Sequence, residues 1–87
     1  MTIWTAETCR ALFTALGGKD NITEMYCCAT RLRIRLHEKD AADRVALSVL
    51  PEVKGLIERT EEIQLIIGIG AIEIYRLCSD ERKKTEG

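Results

Sequence analysis

Arg31-Leu32-Arg33-Ile34-Arg35-Leu36 is the stretch on which the reading of this chain turns. Arginine and aliphatic residues alternate strictly over its six positions. Successive side chains of a strand point to opposite faces, so one face carries the guanidinium groups and the other the aliphatic groups. A strand of this kind has one face on a core and one face open, as in antiparallel sheets. Just upstream, Asn21 to Cys28 reads as a second strand with Ile22 and Met25 as its apolar markers. The short link between the two predicts a hairpin. Further on, Gly55–Arg59 and Glu62–Ile67 read as two more strands, joined by a tight polar turn around Thr60 and Glu61.

Helical spacing fills the gaps between these strands. Within residues 5–16, Cys9, Leu12, Phe13 and Leu16 fall at i, i+3, i+4 and i+7, one buried stripe. Gly17-Gly18 stops that helix. Asp40 can cap a second helix, with Ala42, Val45, Ala46 and Val49 as its stripe and Pro51 as its stop. Gly68-Ile69-Gly70 is a strand-to-helix turn, and Ala71, Ile74, Tyr75 and Cys78 form the stripe of a third helix. The order is α-β-β-α-β-β-α. It predicts an α+β fold: one four-stranded antiparallel sheet with three helices packed on one face and the arginine face turned to solvent. Residues 79–87 hold six charged residues and no large apolar one, and are expected to be a solvated tail or linker.

Eighty-seven residues allow one domain, here expected over residues 1–78. A core of that size leaves little room for a deep, enclosed pocket. Chemistry should therefore sit in a shallow surface site. Thirteen basic residues against 14 acidic ones give a net charge of -1, without the basic excess of a nucleic-acid binder. Aromatic residues make up only 5%, too few for a base-stacking platform. No apolar run is long enough to span a bilayer, and the start lacks a signal-peptide pattern. The expectation is a soluble, cytoplasmic chain in a reducing compartment. Its four cysteines, Cys9, Cys27, Cys28 and Cys78, are then expected to be thiols. Neither their spacing nor His37 suggests a metal site, and nothing implies a cofactor.

Tyr26-Cys27-Cys28-Ala29-Thr30-Arg31-Leu32-Arg33 concentrates the chemistry. It sets a thiol in a tight turn before a strand, with a hydroxyl and two guanidinium groups close behind. Nearby positive charge lowers a thiol pKa, and the thiolate is the nucleophile. Turn amides can form an anion-binding concavity, and arginine binds phosphate through a planar fork of donors. The set suits a phosphoryl group held on sulfur. The residues alone leave a second reading open: cysteines are often buried small hydrophobes, and alternating arginines are often only a wet face. Only Ala29 and Thr30 separate Cys28 from Arg31, too short for the Cys-x5-Arg loop of tyrosine phosphatases. Cys9 and Cys78 lie on helical stripes and are expected in the core. Alternation places Cys27 inward if Cys28 is exposed. His37 is expected at the surface beyond the strand end.

Gly17-Gly18-Lys19-Asp20-Asn21-Ile22, five residues, then Cys28-Ala29-Thr30-Arg31-Leu32-Arg33-Ile34 resembles the IIB domain of the glucose/sucrose-type bacterial sugar phosphotransferase system. Gly55-Leu56-Ile57 and Ile63-Gln64-Leu65-Ile66-Ile67-Gly68 extend the likeness to about residue 78. The resemblance implies the same fold as that read above. It also implies that Cys28 accepts a phosphoryl group from phosphohistidine of a IIA protein or domain. Thr30 and Arg31 then match the active-site loop, and Arg33 matches the arginine tied to passing the phosphoryl group to a sugar bound by the membrane IIC domain. Membrane association would come only through IIC, at the cytoplasmic face of the inner membrane, with residues 79–87 leading toward that domain. Tyr26-Cys27 departs from the Asp-Ala common in glucose-specific members, and the Cys-Ala-Thr-Arg wording leans toward the β-glucoside, sucrose and trehalose branch. The competing expectation is a non-catalytic IIB-like module that senses phosphate or regulates.

Overall fold

In this computed structural model the described residues are 3–84. Thr5 caps α1 (Ala6–Ala15): its hydroxyl accepts from the Thr8 amide at 3.3 Å, filling one of the donors left open at a helix start. Gly17 and Gly18 follow at φ 97° and 101°, conformations that residues with a Cβ rarely adopt. A Cβ on Gly17 would stand 2.9 Å from Ala41 Cβ and 2.9 Å from Asn21 Nδ2, so close packing as well as φ requires glycine there.

The sheet is antiparallel throughout, in the order β1-β2-β4-β3. Its strands are β1 (Ile22–Cys28), β2 (Arg31–Leu36), β3 (Gly55–Glu58) and β4 (Glu62–Ile66). β1 and β2 form the expected hairpin, with Cys28 opposite Arg31 and Tyr26 opposite Arg33. β2 also pairs with β4, which sets Arg33 opposite Gln64 and Arg31 opposite Ile66. One face packs Leu32, Ile34, Ile63 and Leu65, all fully buried, against Leu12, Leu16 and Ile74 of the helical layer. The predicted class, element order and single helical layer are those observed.

Three local expectations are corrected. The second helix, α2, is short (Arg44–Ser48) and begins at Asp43, whose carboxylate accepts from the Ala46 amide at 3.1 Å. Asp40 lies instead in a 3-10 turn at Lys39–Ala41. That start gives α2 a different buried side. Leu47 is fully buried and Ala46 and Leu50 pack at its edge, while Val45 and Val49 are 74% and 73% exposed. Leucine offers more apolar surface than valine, and its burial outweighs the alternative stripe. Asn21, expected to open the first strand, closes a 3-10 turn just before it.

The third correction concerns the charged segment after Cys78. α3 (Ala71–Lys84) continues through it. Glu81 is buried on that helix and takes a 2.8 Å ion pair from Arg10 of α1. The acidic group therefore faces inward to a partner rather than outward to water. Residues 85–87 of the expected tail lie outside the described residues.

Candidate functional site

The hairpin turn holds only Ala29 and Thr30 between Cys28 and Arg31. Ala29 takes φ 48°, in the left-handed region that costs a residue with a Cβ on the order of 1 kcal/mol. The turn is fastened from behind. The Thr30 carbonyl accepts from the amides of Ile67 (3.0 Å) and Gly68 (2.9 Å), where β4 leaves the sheet. Gly68 has φ 107°, and a Cβ there would stand 3.0 Å from Lys54 Nζ. Cys28 is exposed on this turn, and Cys27 points the other way, packed at the edge of the core. Burial pushes the Cys27 thiol up, away from the reactive thiolate form.

Cys28, Thr30, Arg31 and Arg33 line one solvent-open groove of about 620 Å³ on the outer face of the sheet. Arg35 and Arg59 line its far end, where Arg35 pairs with Glu61 at 3.1 Å. All four residues singled out in the sequence are thus brought together. The groove is open to solvent on the outer face of the sheet.

Beneath the arginines lies a polar layer that reading by composition and spacing did not find. Glu62 and Gln64 of β4 are 6% and 3% exposed, although they stand on the outer face. Glu62 Oε1 accepts from the Tyr26 hydroxyl at 2.7 Å. Its Oε2 accepts from Gln64 Nε2 at 2.6 Å and from Arg33 through Nε at 3.0 Å and Nη2 at 2.9 Å. Gln64 Oε1 in turn accepts from Arg31 Nη1 at 3.0 Å. The Arg33 guanidinium lies 5.0 Å from the centre of the Tyr26 ring, a cation–π geometry. Burial pushes the Glu62 carboxyl up, but the hydrogen bonds from Tyr26, Gln64 and Arg33 prevail and hold it below the ordinary carboxylate value. The bond to Glu62 raises Arg33 further above its already high pKa. Arg33 thus closes on the buried carboxylate while lining the same groove as the Cys28 thiol.

The sequence held one trace of this layer. Glu62 and Gln64 alternate with Ile63 and Leu65, which places them on the arginine side once β4 is known to lie beside β2. That neighbour relation is not written in local spacing. The remaining cysteines are apart from the site. Cys9 and Cys78 are fully buried between α1 and α3 with their sulfurs 3.2 Å apart. Cys78 donates to Cys9, and this bond together with burial keeps Cys78 a thiol.

Residues 10–43, which include the hairpin and its cysteine turn, match the family described as phosphotransferase system, EIIB. The chain is 36% identical over 82 residues to the N-acetylmuramic acid-specific EIIBC component of the phosphotransferase system of Aliivibrio fischeri, covering 94% of this chain and 17% of that protein. This chain belongs to the EIIB family of the phosphotransferase system. The EIIB chain is also 40% identical over 63 residues to the sucrose-specific EIIBC component of Klebsiella pneumoniae, covering 72% of this chain and 14% of that one. Both likenesses place it with the glucose/sucrose-type domains. It spans less than a fifth of the length of these curated relatives. A solved structure, one domain of the IIabc component from Clostridium difficile, shares its fold with a TM-score of 0.68 at 24% identity, covering 95% of the EIIB chain and 87% of that chain. Among the described residues no helix is long and apolar enough to cross a membrane.

Proposed function

We propose that this EIIB domain carries a phosphoryl group on Cys28 between a IIA phosphohistidine and a sugar bound by a IIC membrane domain. The observation that carries the reading is the exposed Cys28 thiol on a two-residue turn, with Arg31 directly across the hairpin and Arg33 lining the same groove. In the first transfer the thiolate attacks phosphorus, an S–P bond forms and the N–P bond to histidine breaks. In the second a sugar hydroxyl attacks, the O–P bond forms and the thiolate leaves. Covalent catalysis of this kind links two partners that need never meet. Arg31, Thr30 and the turn amides offset charge on the transferring oxygens. The open groove suits a domain that must face two proteins in turn. Relatives named as EIIBC components support a IIC partner in the same polypeptide, which would hold this domain at the cytoplasmic face of the membrane.

The deciding measurement is intact mass after incubation with phosphoenolpyruvate, the general phosphotransferase proteins and a IIA protein. The expected result is a gain of one phosphoryl group, mapped to Cys28 and absent from Cys28→Ser. An unmodified mass, or phosphate on another residue, overturns the reading and leaves a binding module that senses phosphate without carrying it.

A further inference from the structure

Arginine fixed by a buried carboxylate differs from arginine waving in solvent. Arg33 has Nε and Nη2 closed on a single oxygen of Glu62, which fixes the plane of the guanidinium as well as its place. Glu62 is itself held on three sides, by Tyr26 from β1, by Gln64 from its own strand and by Arg33 from β2. Three strands thus converge on one carboxylate that makes no direct contact with Cys28. A surface ion pair has freedom to swing, whereas this one is braced below by the sheet and above by the Tyr26 ring. Gln64 extends the brace to Arg31.

We propose that Glu62 is a positioning residue: it fixes the Arg33 guanidinium in the groove that Cys28 lines, ready for the oxygens of a phosphoryl group carried there. The inference rests on the carrier reading and adds a residue to it. Misplacing a charge-stabilising group by about an ångström can cost up to about a hundredfold in rate. The cost appears only in steps where Arg33 acts. Glu62→Gln keeps the size of the side chain but removes the charge that closes the fork.

The test compares Glu62→Gln, Arg33→Lys and the double variant on two rates. These are phosphorylation of Cys28 from phosphorylated IIA, and delivery to sugar on membranes carrying a matching IIC. Glu62→Gln is expected to lower the same rate that Arg33→Lys lowers, by about tenfold to a hundredfold. Combined with Arg33→Lys it should add less than about twofold, because a residue acting through another has nothing left to act on. Tyr26→Phe, which keeps the ring and removes one donor to Glu62, should show the same pattern at smaller size and serves if Glu62→Gln does not fold. Losses that multiply in the double variant, a loss in a rate that Arg33→Lys spares, or no loss at all overturn the proposal. A wild-type chain that takes no phosphate on Cys28 overturns the carrier reading itself, and this one with it. A phosphorylated wild type with an indifferent Glu62→Gln overturns this one alone.

Discussion

Cys27 and Cys28 are neighbours with opposite surroundings, because successive residues of a strand face opposite ways. Cys28 is exposed at the turn and Cys27 lies against the core. Mild alkylation at neutral pH should therefore label Cys28 first, with Cys9 and Cys78 labelled only on unfolding. Peptide mapping that finds Cys9 or Cys78 modified fastest in the folded protein would contradict their burial. Cys28→Ser should leave stability within about 0.5 kcal/mol, since an exposed turn position carries little packing. It should also abolish phosphoryl transfer, because a neutral hydroxyl lacks the nucleophilicity of a thiolate. Arg31→Lys should slow both transfers, as a point charge replaces the planar fork that Gln64 holds in place. Arg33→Lys should chiefly slow delivery to sugar. Measuring both rates for each variant checks the pair, and equal losses for Arg33→Lys would remove the division of labour. At this scale the sequence was informative, since Cys28, Thr30, Arg31 and Arg33 all line the groove. The link between Tyr26 and Glu62 is not legible there, because a tyrosine and a glutamate 36 positions apart carry no local sign of a shared hydrogen bond.

Elements are tied to one another by a few polar side chains at their ends. Asn21 is the clearest case. Its amide donates to the carbonyls of Leu16 (2.8 Å) and Glu38 (2.9 Å) and accepts from the Glu38 amide at 2.8 Å. It thereby joins the end of α1, the start of β1 and the exit of β2. Asn21→Ala should cost about 1 kcal/mol, because it leaves the partly buried Leu16 carbonyl without this partner while the exposed Glu38 groups can turn to water. Denaturant unfolding gives the number, and a cost near zero would show that water replaces the amide. α2 supplies a second contrast. Leu47→Ala should cost roughly 2–5 kcal/mol as a fully buried leucine, and Val49→Ala less than about 0.5 kcal/mol as an exposed valine. The reverse order would restore the stripe that spacing alone suggests. Spacing misreads α2 because a five-residue helix has too few turns to define a face, so the cap at Asp43 and the pull of Leu47 decide it.

Across the whole molecule, α2 is clamped to the far sheet edge by Arg44, which holds Glu58 of β3 through two hydrogen bonds of 2.8 and 2.9 Å. Those bonds lower the Glu58 carboxyl from 4.5 to about 2, with Lys39 contributing. A carboxyl depressed in the folded state adds stability above its unfolded pKa and loses it as pH falls toward the folded one. The contribution should therefore be present at neutral pH and fade between about 4.5 and 2. The pair is partly exposed, so Glu58→Gln should lower stability by no more than about 1 kcal/mol at pH 7. The gap between variant and wild type should close as the acid limit nears. Thermal unfolding across pH checks this, and a constant gap would assign the effect to packing instead. The order of elements, the two hairpins, the face that each residue of β2 presents and the cysteine turn follow from the sequence alone, because period, turn length and capping act over a few neighbouring residues. Tertiary structure alone decided that β4 lies between β2 and β3, that Glu62 and Gln64 are buried beneath the arginines, and that α3 continues through its charged end to bury Glu81. The physical reason is common to all three. Burying a carboxylate or an amide is costly until a partner is supplied, and here the partners come from strands and helices distant in the chain.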